Sequence, residues 1–164
     1  MATIKGRFSA VLLFACFALT SANATQGPRA NDDEFGPVVR AYLGYLKNEQ
    51  EVVDDRVSRR EVSAYYYRHN SNRIRALRQM AIKLARESHN DYLPELEAVS
   101  ASEMGLLFGS SPPQPTNLKV GEVLRNTFRF LGPVRVGETF YLFARLDPYE
   151  QADLNEKSSA AARP

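Results

Sequence analysis

The feature that most constrains the fold is a change in hydrophobic periodicity at a short Pro- and Ser-rich segment, residues 109–115 (GSSPPQP). After it, apolar and polar residues alternate, as in FRFL and TFYLFARL, which is typical of half-buried strands. Before it, apolar residues recur at helical spacing. The most regular set is Ile74, Leu77, Met80, Ala81 and Leu84.

This change predicts an α+β fold. We expect an N-terminal helical hairpin or three-helix unit, then a Pro-rich joint over 109–115, and then a C-terminal antiparallel β-hairpin or small sheet packed on the helices. The helical part spans residues 34–108. The β part, in the same domain, spans 116–150, and residues 151–164 are predicted to be a disordered tail.

Within the helical part, residues that favour helix starts and turns indicate where the helices begin. Pro37 suits the first position of a first helix. Asn48 resembles the cap of a second helix that runs to about Arg68. The polar triplet His69-Asn70-Ser71 resembles a turn before a third helix over residues 72–87.

Two further short helices and one irregularity are predicted. Pro94 favours a helix over 94–99, and Ser100 with Glu103 matches a capping box for another helix that ends near Phe108. In the β part, Gly132-Pro133 predicts a bulge or turn within the alternating pattern.

The first 24 residues resemble a secretory signal peptide. Lys5 and Arg7 precede an apolar run (FSAVLLFACFAL), and Ala22-Asn23-Ala24 matches a cleavage site that ends at Ala24. Residues 25–33 are then a flexible tail. We expect an exported protein, periplasmic or secreted, with no transmembrane segment after cleavage. A lipid anchor through Cys16 is the alternative.

Cleavage changes the charge and cysteine content. The sequence has 21 basic and 19 acidic residues, and Lys5 and Arg7 account for the surplus. The mature chain is therefore neutral, which gives no support for a nucleic-acid partner. Cys16 is the only cysteine, so the mature chain is cysteine-free and depends on its apolar core.

The sequence offers little for catalysis. His69 and His89 are the only histidines; we expect each at a helix end, far from the other. No zinc-type spacing, nucleophile elbow or phosphate-binding loop is present, and no cofactor or metal is predicted. Asp54 and Asp55 are adjacent and point about 100° apart on a helix.

The remaining carboxylates are also expected to be structural. Glu95, Glu97 and Glu103 fall at ordinary surface positions, and Glu138 falls at a turn. We therefore expect a non-catalytic protein rather than an enzyme. The alternative is a small envelope hydrolase that uses carboxylates.

Residues 56–86 carry nine basic residues and one acid, whereas the segments on either side, 25–55 and 87–164, are net acidic. One interpretation is a salt-bridged helix face that balances the acidic segments. The other is a surface for an anionic envelope component or a protein partner. Its candidate binding residues are Arg59, Tyr66, Arg75, Arg78, Lys83 and Arg86.

The functional prediction is therefore an exported binding or assembly module of the bacterial cell envelope. Exposure of the face formed by Arg75, Lys83 and Arg86 would favour the binding interpretation. Coverage of that face by residues 31–55 would favour the structural one. The sequence predicts no oligomeric state.

Overall fold

The computed structural model describes residues 32–161, with side chains up to residue 157. The predicted signal peptide and its cleavage site at Ala24 lie outside the described residues, as does most of the predicted tail over 25–33. The described residues all belong to one compact unit.

The fold is mixed helix and sheet, which confirms the α+β prediction. Two long helices come first and a four-stranded antiparallel sheet follows. The helices are α1 (Pro37–Ser58), α2 (Ala64–Ser88), α3 (Met104–Phe108) and α4 (Pro148–Ala161), and the strands are β1 (Leu96–Ser100), β2 (Val123–Leu124), β3 (Phe128–Val136) and β4 (Glu138–Arg145).

Helix α1 begins at Pro37, as predicted, but it continues to Ser58 without a break at Asn48. Its first turn is capped by a distant residue, because the Val38 and Val39 amides donate to the carboxylate of Asp91 at 2.8 and 3.0 Å. Asp91 thus satisfies two donors that a helix start otherwise leaves open.

The turn between α1 and α2 follows the Schellman pattern. Arg60 takes a left-handed conformation (φ 60°), its amide donates to Val57 O, and the Glu61 amide donates to Arg56 O. Ser63 then caps α2 by accepting from the Tyr66 amide at 3.1 Å. These two local signals explain why the reversal occurs here.

The turn predicted at His69-Asn70-Ser71 is therefore wrong, because the triplet lies inside α2. Asn70 and Ser71 both form hydrogen bonds from within the helix. Asn70 donates to Tyr66 O at 2.9 Å, and buried Ser71 accepts from Gln50 of α1 at 3.0 Å. The helix ends at Ser88 as expected, with His89 in the left-handed conformation.

The sheet order is β1-β4-β3-β2. The helix predicted over 94–99 is wrong, because Leu96–Ser100 pairs with β4 as an edge strand. The bulge predicted at Gly132-Pro133 is confirmed by a register shift between Phe130 and Gly132, and β3 continues through it. Strand β2 is short and pairs with the start of β3, with Val123 opposite Arg129 and Leu124 opposite Phe128.

The sheet buries both faces. On one face α2 packs on β1, β3 and β4, and the His69 ring meets Phe140 there at 5.3 Å between centroids. On the other face, Phe108 of α3 makes edge contacts with Phe128 and Phe143. The side chains of Phe140 and Phe143 lie on opposite faces of the sheet, because successive side chains of a strand alternate between its two faces.

The disordered tail predicted from residue 151 is replaced by α4. Asp147 caps this helix by accepting from the Tyr149 and Glu150 amides at 2.8 and 2.9 Å. Glu150 pairs with Arg129 of β3 at 2.9 Å, which anchors the first turn to the sheet. Asp147-Pro148 therefore ends a strand and also starts a helix.

Candidate functional site

A partly buried ionic cluster joins three elements that are far apart in sequence. Helix α2 contributes His69 and Arg73, which are four residues apart and share one helix face. Glu103 comes from the 3-10 turn Ala101–Glu103 that follows β1. Glu138 is the first residue of β4.

Both ring nitrogens of His69 face carboxylates. Nδ1 lies 2.8 Å from Glu138 Oε2, and Nε2 lies 2.9 Å from Glu103 Oε1. The ring stacks on Tyr65 on the solvent side, with 5.8 Å between centroids, and lies tilted against Phe140 on the core side, at 5.3 Å. The imidazole is therefore fixed in position and orientation.

Arg73 adds a positive charge to the cluster. One of its amino groups, Nη2, contacts Glu103 Oε1 and lies 2.9 Å from His69 Nε2. The guanidinium thereby pairs with one of the two carboxylates and also contacts the imidazole ring.

Glu103 is the most strongly held acid of the cluster. Burial alone would raise its pKa, but hydrogen bonds from the Ser100 amide, Arg73, His69 and the Ser100 hydroxyl lower the pKa from 4.5 to about 2. The capping box predicted at Ser100 and Glu103 is confirmed. Glu103 thus caps the 3-10 turn and binds α2 at the same time, and the expectation of an ordinary surface position for it is wrong.

The chemistry available to this cluster is narrow. A general acid needs a raised pKa, and the pKa of Glu103 is shifted the other way. Both imidazole nitrogens already have partners, so neither faces a substrate. Across residues 32–161, no group of His, Cys, Asp and Glu has an arrangement that could hold a metal ion. The geometry is that of an ionic cluster that connects α2 to the sheet and stabilises the fold.

The expectation that His69 caps a helix end is also wrong, since its ring lies in the interior of the fold. One local signal pointed to the cluster: His69 and Arg73 are one helical turn apart and follow Tyr65 on the same face. Glu138 could not be found in this way, because only the folded β3–β4 hairpin brings it to α2.

The six predicted binding residues are separated by the structure. Tyr66 and Arg75 are nine positions apart on α2, which places them on opposite sides of the helix. Arg59 lies in the turn before α2 and pairs with Asp55 and Glu61. Arg75, Arg78, Lys83 and Arg86 do share one side of α2.

Most of the cations on that side have acidic partners. Arg78 pairs with Asp32 at 2.6 Å, Arg86 pairs with Glu34 at 2.6 Å, and Lys83 lies 3.9 Å from Glu87. Arg86 also lies over the Phe35 ring at 5.8 Å. Arg75 is exposed and donates to Asn72 at 3.2 Å. Residues 32–35 therefore cover part of the basic face.

An apolar groove lies between α1 and the start of β1. Its volume is about 480 Å³. One wall is formed by Val38, Tyr42 and Tyr45 of α1, the other by residues 93–97, and Leu77 of α2 lies between them. Val38 and Tyr45 leave 51% and 55% of their surface exposed. The groove is thus open to solvent although it is lined with apolar residues.

Tyr42 adds a polar group to the groove. Burial, followed by the proximity of Tyr45 and Glu97, raises the pKa of Tyr42 to about 12. Its hydroxyl therefore stays protonated at physiological pH and can donate a hydrogen bond. In α1 the buried face includes Val39, Leu43 and Leu46. Val38 and Tyr45 are further apolar residues outside that face, and they were the available signal for a second contact surface.

The helices followed by an antiparallel sheet place the protein in the α+β class. No family model, curated protein or solved structure matches the chain. Within residues 32–161, no helix combines the length and the hydropathy that crossing a membrane requires.

Proposed function

We propose that this protein is an exported, non-catalytic module that binds a protein partner in the bacterial cell envelope. The observation that carries the proposal is the groove between α1 and β1. Large apolar side chains that stay exposed around a concave surface are typical of interaction sites. Val38, Tyr42 and Tyr45 supply such a surface, and tyrosine is enriched at protein interfaces because it combines an apolar ring with a polar end.

The pKa of Glu103 and the position of His69 favour a binding role over a carboxylate-based hydrolase. Two catalytic carboxylates need pKa values that are pushed apart, with one raised toward neutrality. Glu103 instead has its pKa lowered to about 2. The imidazole of His69 occupies the space between Glu103 and Glu138, so no substrate bond can lie there.

The ion pairs also weigh against an anion-binding surface at Arg59, Tyr66, Arg75, Arg78, Lys83 and Arg86. Asp32 and Glu34 already neutralise two of these cations. Removing an arginine from its carboxylate to bind another anion gains little, since one ion pair replaces another. For this reason the proposal places the partner at the groove.

Site-specific crosslinking tests the groove directly. A photoreactive phenylalanine analogue is introduced at Tyr45 and, as a matched control, at Tyr149 of α4, which is 85% exposed. A third variant carries it at Arg75. In envelope fractions of the source bacterium, we expect a discrete crosslinked partner from the Tyr45 position alone. A partner captured only from Arg75 would move the site to the basic face, and equal capture from all three positions would contradict a groove.

Export is tested separately by a reporter that is active only outside the cytoplasm. Residues 1–30 fused to alkaline phosphatase should give activity, and the fusion with Leu13→Arg, which places a charge in the apolar run, should lose it. Activity that is equal in the two fusions, or absent from both, would contradict a signal peptide.

A further inference from the structure

Helix α1 has a second apolar face besides the one that packs on α2. The buried face, which α1 turns toward α2, contains Val39, Leu43, Leu46 and Val53. The second face is formed by residues that follow one another at intervals of four and three positions, Val38, Tyr42, Tyr45, Glu49 and Val52. Because an α-helix turns about 100° per residue, these five side chains lie within an arc of about 80°. We call this face the outer stripe.

The apolar residues of the outer stripe remain open to solvent. Val38, Tyr45 and Val52, which are seven positions apart, leave 51%, 55% and 53% of their surface exposed. Large apolar side chains that recur in this way along one helix face are typical of a helix that packs against another helix. From Val38 to Val52 the stripe is about 21 Å long. Its length and spacing therefore match a helical partner of about four turns.

The groove flanks one end of the outer stripe. Val38, Tyr42 and Tyr45 form its wall on α1, and Tyr45 is the last residue of α1 that lines it. A helix packed along the stripe would direct the side chains of one edge into the groove, above Leu77, and would continue to Val52. A ligand that only filled the groove would not reach Val52. Contact at Val52 therefore distinguishes a bound helix from a smaller occupant.

The charges around the outer stripe indicate what such a helix carries. Glu49 is the only charged residue of the stripe, and residues 32–161 provide no ion-pair or hydrogen-bond partner for it. Across the groove, Glu95 and Glu97 share a single cation, Arg145, at 3.0 and 3.6 Å. Among the described residues, no Lys or Arg lines the groove. The excess negative charge is complementary to a basic partner.

We propose that the outer stripe of α1 binds an amphipathic helix of the partner protein, whose apolar residues contact Val38, Tyr45 and Val52 and whose Lys or Arg pairs with Glu49. The inference rests on the proposed function and adds the binding mode and the chemistry of the partner. A second copy of α1 is the less suitable occupant. Two outer stripes packed together would place Glu49 against another Glu49 or against an apolar residue, in both cases without a cation.

A charge swap at Glu49 tests the pairing. The probe is a fluorescent three-heptad peptide with leucine at positions a and d, except for a lysine at the central a position, and a matched peptide has glutamate there. At low salt, the lysine peptide should bind the wild-type protein about 10-fold more tightly than the glutamate peptide, as measured by fluorescence anisotropy. Glu49→Lys should invert this preference.

Glu51→Lys is the matched control for the charge swap. Glu51 is exposed and pairs with Lys47, and both lie on the side of α1 opposite the outer stripe. This variant should keep the wild-type preference for the lysine peptide. Equal binding of the two peptides to the wild-type protein, or an unchanged preference in Glu49→Lys, would overturn the proposal. So would a preference that Glu51→Lys inverts to the same extent.

Crosslinking along α1 locates the bound helix. With the photoreactive phenylalanine analogue, the lysine peptide should be captured from Tyr45 and from Val52, but not from Lys47. In envelope fractions, the partner captured from Tyr45 should also be captured from Val52, and its crosslinked residues should be three, four or seven positions apart. Capture of a second copy of this chain from Val52 would overturn the proposal. A partner captured from Tyr45 but never from Val52 would also overturn it, and would leave the proposed function intact.

Discussion

The imidazole Nε2 of His69 lies 2.9 Å from Oε1 of Glu103, across 34 residues of sequence. On its other side the same ring reaches Glu138 at 2.8 Å. One side chain of α2 thus ties the turn after β1 to the start of β4. Charge-assisted hydrogen bonds of this kind are shorter and stronger than neutral ones, so the contact fixes the position of the helix on the sheet.

Replacing Glu103 by Gln should therefore destabilise the protein. The amide removes the charge that balances Arg73, and it leaves a partly buried guanidinium without its counterion. We expect the free energy of unfolding to fall by about 2–4 kcal/mol, measured by urea denaturation. Glu87→Gln, which removes the exposed partner of Lys83, should change it by less than about 0.5 kcal/mol. Equal effects of the two substitutions would contradict a stabilising role for Glu103 in the ionic cluster.

The same carboxylate should make stability depend on pH at the acid end. The pKa of Glu103 is about 2 in the folded protein and 4.5 ordinarily, so the unfolded chain binds its proton first as the pH falls. Its contribution is fully present above about pH 4.5 and is lost as the pH approaches 2.

In urea titrations across this range, the stability difference between wild type and Glu103→Gln should shrink as the pH falls. A difference that stays constant from pH 5 to about 2 would show that Glu103 keeps an ordinary pKa.

Asp91→Ala should remove the cap of α1. The Val38 and Val39 amides would lose their acceptors, and losses of this kind cost about 1–2 kcal/mol. Asp91→Asn should retain part of the stability because asparagine also caps helices. Asp33→Ala, at an exposed position in the turn before α1, is the control and should have little effect on thermal unfolding. A loss from Asp33→Ala as large as that from Asp91→Ala would argue against the cap.

Two glycines of the α1 region should respond in opposite directions to alanine. A Cβ at Gly36 would overlap the side chain of Asp91, whereas a Cβ at Gly44 meets nothing within 4 Å. Gly36→Ala should lower the free energy of unfolding by about 1–3 kcal/mol. Gly44→Ala, inside α1, should raise it by about 0.5–1 kcal/mol. A stabilising Gly36→Ala would show that Asp91 does not hold this position.

Features that depend on neighbouring residues were predictable from the sequence. The start of α1 at Pro37 and the capping box at Ser100 and Glu103 follow from backbone chemistry within a few residues. The bulge at Gly132 also does, since Gly132 adopts a positive φ of 121° that favours glycine. The change of periodicity at residues 109–115 correctly separated the long helices from most of the sheet.

Features that depend on distant partners were not predictable. His69, Asn70 and Ser71 resemble a turn locally, yet inside the helix Ser71 accepts from Gln50 and His69 contacts two glutamates. Leu96–Ser100 becomes a strand because β4 pairs with it, although Pro94 also suits a helix start. The ionic cluster forms only where three elements distant in sequence come into contact, and the spacing of its residues in the sequence does not indicate that contact.

The cap that Asp91 places on α1 also bears on how the chain acquires its structure. The contact joins residues 52 and 53 positions apart, so it requires the chain to close a loop that contains most of both long helices. Contacts of such separation slow folding relative to local ones. A fragment that stops before Asp91 would begin its first helix without this cap, so we expect the isolated helical hairpin to be less stable than the same hairpin in the full chain.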